Sequence, residues 1–347
     1  GLGARRQTVS STAYRTAESG DRFYNTTRYP DGGTSVSDLF LYSKTQLNLS
    51  KKITLSSGAR FNYNNLISTF LDTQTYNFPF STIQNKTSSF VTSILVNYRF
   101  TNFMTLKTSF YTGFRNPNLD DLGKVFSKND NYVVVPNPKL TAEKSNNVEL
   151  GIDIMLKEKS NFSIQYFNTI IKNAISRESG TLNGEDSILY DGEMMQIQMN
   201  KNIEKAYIYG FNINYSYTPI SNLFFTSGLN YIKGTTINGS PLSHISPING
   251  HANIRYSYNK QKISFETRFA GQKRKEDYDL AGVDNLEEAT GDGTPSWYTL
   301  NLCYSYLFSK SKFSISCENI LDSHYKTFAS AISSSGRNFI ISLQTKF

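Results

Sequence analysis

The chain has no run approaching the roughly 20 consecutive apolar residues that a membrane-spanning helix needs, and its mean hydropathy is −0.43. A helical membrane protein is therefore excluded, and any membrane association must come from strands. Cysteine is scarce: Cys303 and Cys317 are the only two, with no CxxC or Cys/His spacing. That excludes both a disulfide framework and a zinc site. Histidine is nearly as scarce, with His244, His251 and His324. No Ser/His/Asp set can be assembled, and the paired carboxylates Asp120–Asp121 and Glu287–Glu288 fall in expected loops without a neighbouring base. The expectation is a protein that is not an enzyme and carries no cofactor and no metal. The opening GLGARRQTVSS lacks the basic head and apolar core of a signal peptide, so the chain reads as mature or as a fragment whose export was directed from elsewhere. The net charge of +8 raises nucleic acid as a partner. Lys and Arg are scattered along strands and turns instead of forming a stripe, which argues against it.

Aromatic residues, by contrast, make up 14% of the chain, nearly all Tyr and Phe, with Asn, Ser and Thr filling the polar positions between them. Alternation is the strongest pattern. Tyr207, Tyr209, Phe211, Ile213, Tyr215 and Tyr217 share one face of a strand, with Ala206, Gly210, Asn212, Asn214 and Ser216 on the other. Met104, Leu106, Phe110 and Phe114 oppose Lys107, Ser109 and Gly113 in the same way, and Val148, Leu150, Ile152, Ile154 and Leu156 oppose Asn147, Glu149 and Asp153. One face suits lipid and the other a wet interior.

A soluble sandwich alternates too, and connection lengths separate the two architectures. Short polar turns are expected near Ser50–Lys52, Thr101–Phe103, Lys157–Asn161, Pro219–Asn222, Asn259–Gln261 and Ser309–Lys310. Long polar connections are expected at roughly 18–36, 71–85, 117–142, 178–202, 236–248, 276–295 and 320–336. Turns alternating with long loops mark an outer-membrane β-barrel, with turns in the periplasm and loops outside. The scheme gives an all-β, antiparallel transmembrane barrel wall of about 14 strands over 1–347, ending on an alternating strand that closes with Phe347.

Several longer strings resemble those of TonB-dependent outer-membrane transporters, especially the Bacteroidetes branch: FRNPNLDDLGKVF at 114–126, VVVPNPKLTAEKSNNVELG at 133–151 and AYIYGF at 206–211. LSHISPINGHANI at 242–254, DGTPSWYTLNL at 292–302, ENILDSHYKTFAS at 318–330 and SGRNF at 335–339 follow in the expected order. The resemblance implies the C-terminal portion of a barrel of about 22 strands around a plug domain that this chain does not contain. It further implies TonB as a partner through that plug, outer-membrane lipid around the wall, and remaining strands or plug from missing sequence or another chain. A surface lipoprotein is a further possible partner. Haem receptors of the family carry a FRAP box and an NPNL box bracketing a ligand histidine. Here the corresponding strings are Phe114–Pro117 and Asn137–Leu140 with no histidine between them, and the first string is also widespread in members that do not bind haem.

Candidate ligand residues fall at the foot of and within the 117–142 loop: Arg115, Asp120, Asp121, Lys124, Phe126 and Tyr132. Their mix of charge and aromatics suits holding a ligand above the lumen, and equally suits a structural loop folded over the barrel mouth. Alternation assigns Arg60, Arg99, Lys107, Glu149, Asp153, Arg255, Glu266, Arg268 and Glu318 to the lumen, where they would bind a plug or, in an open pore, set ion selectivity. The acidic stretch 276–295 reads as a cation site or, more simply, a solvated loop.

The functional expectation is TonB-dependent uptake of a scarce nutrient, most plausibly an iron chelate, from the outer membrane of a Gram-negative bacterium. A passive porin of fourteen strands and a surface protein-binding scaffold stand as alternatives. Three geometric expectations accompany it. Cys303 and Cys317 lie on opposite faces; Arg255 and Glu266 face each other across a hairpin; and the strand near Arg5–Thr16 does not pair with the strand ending at Phe347.

Overall fold

A computed structural model describes residues 1–25, 27–129, 131–279 and 283–346, without the side chains of 24, 128 and 129. Fourteen strands form one antiparallel meander. They are β1 (Leu2–Val9), β2 (Thr34–Asn48), β3 (Ile53–Thr69), β4 (Thr82–Arg99), β5 (Met104–Arg115), β6 (Glu143–Leu156) and β7 (Ser160–Ser179). β8 (Glu193–Ile220), β9 (Leu223–Thr236), β10 (Asn249–Tyr258), β11 (Gln261–Ala270), β12 (Trp297–Phe308), β13 (Ser311–Glu318) and β14 (Asn338–Thr345) complete it. Each pairs with its neighbours in sequence. All six expected turns lie between strands at one end of the sheet, and the long connections lie at the other.

The two faces separate by the period of two. Tyr256, Ile263, Tyr304, Ile315 and Ile341 align across β10 to β14 as one apolar row. Leu150, Tyr166, Phe211 and Tyr231 align across β6 to β9 as another. These side chains stay accessible, Leu150 at 53% and Ile341 at 69%, because lipid and not protein is their solvent. The opposite face carries Asn, Ser, Thr and the charges, and the extracellular loops fold onto it. There Leu66 and Ile83, from the upper ends of β3 and β4, pack with Leu122, Val133, Val135 and Ile197 in a closed apolar cluster. Each such side chain contributes about 1.5–3 kcal/mol, so the loops form a folded cap over the inner face.

The edges are as expected: among the described residues β1 has a ladder only with β2, and β14 only with β13. The terminal Phe347 lies outside the described residues. The first strand is shorter than the Arg5–Thr16 estimate. Its ladder stops at Val9, opposite Thr34, because β2 begins there after the turn at Pro30–Gly33. The chain then leaves the wall, and Ala13–Thr16 pairs with Arg22–Asn25 as a separate hairpin. Much of the expected 178–202 loop is paired strand, since Ser187–Tyr190 folds back on Glu193–Gln196 and β8 continues without interruption into the wall.

The Arg255–Glu266 expectation is corrected. Asn259 adopts φ 50° and makes a two-residue turn that pairs Tyr258 with Gln261. That sets the register two residues away from the one expected, so Arg255 faces Ser264 and Glu266 faces Asn253. Glu266 instead accepts from Arg268 Nε at 2.6 Å, and the Arg255 guanidinium lies 4.6 Å from the Phe224 ring centroid. The cysteine geometry holds: Cys303 faces Ser316 and Cys317 faces Leu302, on opposite faces, and both are free.

Candidate ligand-binding face

All nine residues assigned to the lumen fall on the polar face, and their partners differ in kind. Lys107 and Asp153 form an ion pair, and Ser163 donates to the same Asp153 at 2.8 Å. Among the described residues Glu149 is held by neutral donors alone, namely Tyr111 Oη at 2.7 Å, Gln165 Nε2 at 2.9 Å and Ser109 Oγ at 3.1 Å. Arg60 lies over the Phe40 ring at 4.3 Å. Arg99 and Glu318 have no ion pair among the described residues. His251 of β10, Glu266 and Arg268 of β11, Trp297 of β12 and Phe328 help to line a cavity of about 580 Å³.

The six loop candidates split into two groups. Arg115 ion-pairs with Glu143 and lies 2.6 Å from Asp121, which also accepts from the Asn118 N–H at 2.9 Å. The Asp121 N–H in turn donates to Asn118 Oδ1, closing a reciprocal cap on the single helical turn Leu119–Leu122. Arg115 and Asp121 are thereby committed to holding the loop. Tyr132 opens the short strand Tyr132–Val135, which runs parallel to Gln196–Met199 of β8.

Asp120, Lys124 and Phe126 form the second group, joined by two residues the sequence did not single out, Arg28 and Tyr29. The Tyr29 hydroxyl donates to Asp120 at 2.8 Å, Lys124 Nζ lies 3.2 Å from the same carboxylate, and Arg28 lies 3.7 Å from it. Arg28 and Lys124 both sit over the Phe126 ring, at 4.2 and 5.0 Å. Burial alone would push Asp120 up, but the Tyr29 hydroxyl, Lys124 and Arg28 outweigh it and hold the carboxyl below its usual range. Burial pushes Lys124 down against the pull of Asp120. Val125 N–H donates to Arg28 O at 2.9 Å, which fixes the two loops together. Nothing in the periodicity around Arg28 and Tyr29 marked them, since Tyr29 meets Asp120 across 91 residues of sequence.

The two boxlike strings turn out to be fasteners. Pro117 is fully buried, Asn137 N–H donates to Leu122 O, and Asn137 Nδ2 donates to Asn200 O at 2.7 Å. Leu140 O accepts from Asn85 of β4 at 2.8 Å. In the acidic loop, Asp284 is buried and accepts from the His244 N–H. That carboxylate is therefore neither solvated nor facing outward.

Comparison with known proteins places this geometry. The family described as TonB dependent receptor-like, beta-barrel matches residues 1–320. A probable hemoglobin and hemoglobin-haptoglobin-binding protein of Haemophilus influenzae is 23% identical over 248 residues, which cover 66% of this chain and 24% of that protein. The copper transporter OprC superposes on 100% of this chain and 53% of its own, with a TM-score of 0.78 and 14% identity. The siderophore receptor PirA of Acinetobacter baumannii covers 100% of this chain and 59% of its own, at a TM-score of 0.67 and 15% identity. The chain thus spans about a quarter of the length of the curated relative and somewhat over half of those solved structures.

Proposed function

Since the chain belongs to the TonB-dependent receptor family and supplies part of its outer-membrane β-barrel, we propose that the protein carrying it takes up a scarce nutrient, an iron chelate, by TonB-dependent active transport. The observation that carries this reading is the pair of unfilled edges. β1 and β14 each expose a row of backbone groups at membrane depth, where every unpaired group costs several kcal/mol, and neither has a second partner among the described residues. Further strands beside them complete a wider wall, and a wider wall has room for a plug.

On this reading the nine charged side chains of the inner face bind the plug through ion pairs and water, and TonB acts through the plug. The folded cap holds the ligand face steady above it. No covalent chemistry is asked of the chain. The haemoglobin-binding relative brings a haem protein into consideration as cargo. Against that stand the absence of histidine between Phe114–Pro117 and Asn137–Leu140 and the structural use both strings receive.

The test is accumulation of radio-iron chelates by cells expressing the intact protein, with and without TonB. Uptake that disappears without TonB, or when the proton-motive force is collapsed, supports the transporter. Uptake that continues without TonB establishes a passive pore.

A further inference from the structure

The six short turns at the periplasmic end of the wall carry Lys51, Lys52, Lys157, Lys159, Lys260 and Lys310, against a single carboxylate, Glu158, of the 28 in the chain. Scattered in sequence, these lysines come together on one rim because the turns of an antiparallel meander stand side by side. All six are exposed, and none has an ion pair among the described residues. Lys159 Nζ donates to the Pro219 carbonyl oxygen at 3.3 Å, a bond that leaves its charge uncompensated. Just above the turns the lipid face ends in rings, among them Tyr98, Tyr217, Tyr258 and Phe308. Such an aromatic girdle marks the headgroup level, so the lysines stand among the headgroups of the inner leaflet.

Over one of these turns, Lys157–Lys159 between β6 and β7, the lipid face is not level. The short side chain of Thr108 stands in a row between Val96 and Leu150, and the next row towards the turn is Leu106, Ile152 and Ile164. A groove of about 620 Å³ runs along them. Ile152 precedes Lys157 by five residues, about 16 Å of strand, which is about one leaflet of the roughly 30 Å hydrocarbon core. The groove and the two lysines thus lie within the span of one lipid molecule. The turns hold no arginine, whose rigid fork suits one fixed oxyanion. Lysine is a hydrated point charge on a flexible stem, which suits headgroups that exchange.

We propose that the periplasmic rim recognises anionic phospholipid of the inner leaflet, with a defined seat at the β6–β7 turn. There the headgroup phosphate meets Lys157 and Lys159, and an acyl chain lies in the groove beside Thr108. The other four lysines extend the attraction along the rim. The proposal rests on the membrane wall and not on the transport reading, so either can fail alone.

The experiment is a lipid titration of the purified intact protein in detergent, read by native mass spectrometry, with phosphatidylglycerol and phosphatidylcholine of the same acyl chains. The wild type should bind phosphatidylglycerol more tightly by about fivefold or more, the weight of one basic residue at an anionic surface. Lys157→Gln with Lys159→Gln should weaken phosphatidylglycerol by about fivefold or more and leave phosphatidylcholine unchanged. Lys157→Arg with Lys159→Arg should keep the preference. Thr108→Trp, which fills the groove, should weaken both lipids. Arg274→Gln with Lys275→Gln removes the same charge from the opposite rim and should alter neither. Equal binding of the two lipids by the wild type, or unchanged phosphatidylglycerol affinity in the double Lys→Gln variant, overturns the proposal. An equal loss in the Arg274, Lys275 variant shows attraction to net charge alone and also overturns it. Full binding by Thr108→Trp overturns the seat. Retention of the wild type on isolated peptidoglycan, abolished in the double Lys→Gln variant and without any lipid preference, overturns it in favour of the cell wall.

Discussion

His244 engages the carboxylate of Asp284 from two sides, its backbone N–H lying 2.9 and 3.0 Å from the two oxygens and its Nδ1 3.0 Å from Oδ1. Asp284 is fully buried, His244 adopts φ 63°, and nearby Lys273 donates to Ile245 O at 2.7 Å. Two long loops, 237–248 and 271–296, are latched together by these bonds.

Removing the latch carboxylate should loosen these loops and spare the wall. Asp284→Ala leaves the His244 N–H without its acceptor, a loss of about 1–3 kcal/mol. Limited proteolysis should then cut within 237–248 sooner, while the thermal unfolding of the barrel stays unchanged. A lowered barrel melting temperature would show that the latch belongs to the wall.

The same carboxylate sets a pH dependence. Burial pushes Asp284 up from its usual value and Asp279 adds to the rise, while the His244 N–H and ring and Lys273 pull it back only in part. Below the unfolded pKa the group is neutral in both states. As pH rises the unfolded loop ionises first, so the latch loses stability until the folded pKa is passed and then holds level. Melting of the loops, followed through the emission of nearby Trp297, should therefore occur at higher temperature in mild acid than at neutral pH. In Asp284→Asn this contribution to the slope should vanish, and an unchanged slope would refute the assignment.

A glycine on the inner face controls one seam of the wall. At Gly210 a Cβ would collide with the Tyr231 carbonyl oxygen and lie 2.7 Å from Phe167 Cζ, because the Phe167 ring covers the gap in β8. Gly210→Val should reduce the amount of folded, heat-modifiable barrel recovered from membranes. Adding Phe167→Ala should recover only part of it, since the backbone collision remains. Full recovery would place the whole effect on the ring.

The two thiols should both be free in the protein as isolated. Alkylation under denaturing, non-reducing conditions should add two labels to the peptides holding Cys303 and Cys317, since their side chains leave opposite faces of the sheet. A peptide pair joined through sulfur would require a different β12–β13 register.

The wall was legible because its signal is local. Rows such as Tyr207 to Tyr217 repeat every second residue, and turns such as Ser309–Lys310 interrupt them, so strand number, faces and the side of each lumen charge followed directly. Register was not legible from alternation alone, because the geometry of the turn sets it. At Asn259 the left-handed φ shortened the hairpin, and Arg255 lost its expected partner. A loop folded over the barrel mouth was one of two readings of 117–142, but its packing was not legible. Leu122, Val133 and Val135 share no period with Leu66 and Ile83, and Tyr29 meets Asp120 across a separation that pattern reading does not span. The 117–142 loop was therefore singled out while Arg28 and Tyr29, which share Asp120 with it, went unmarked.

The strands differ greatly in length. β8 runs for 28 residues and β13 for 8, which at about 3.3 Å per residue gives contours of roughly 90 Å and 26 Å. Ladder hydrogen bonds carry β8 high above the membrane, whereas the segment 319–337 above β13 is held by side-chain bonds such as Asn285 Nδ2 to Ala329 O, so the rim stands on a tall palisade of paired backbone on one side and on lashed loops on the other.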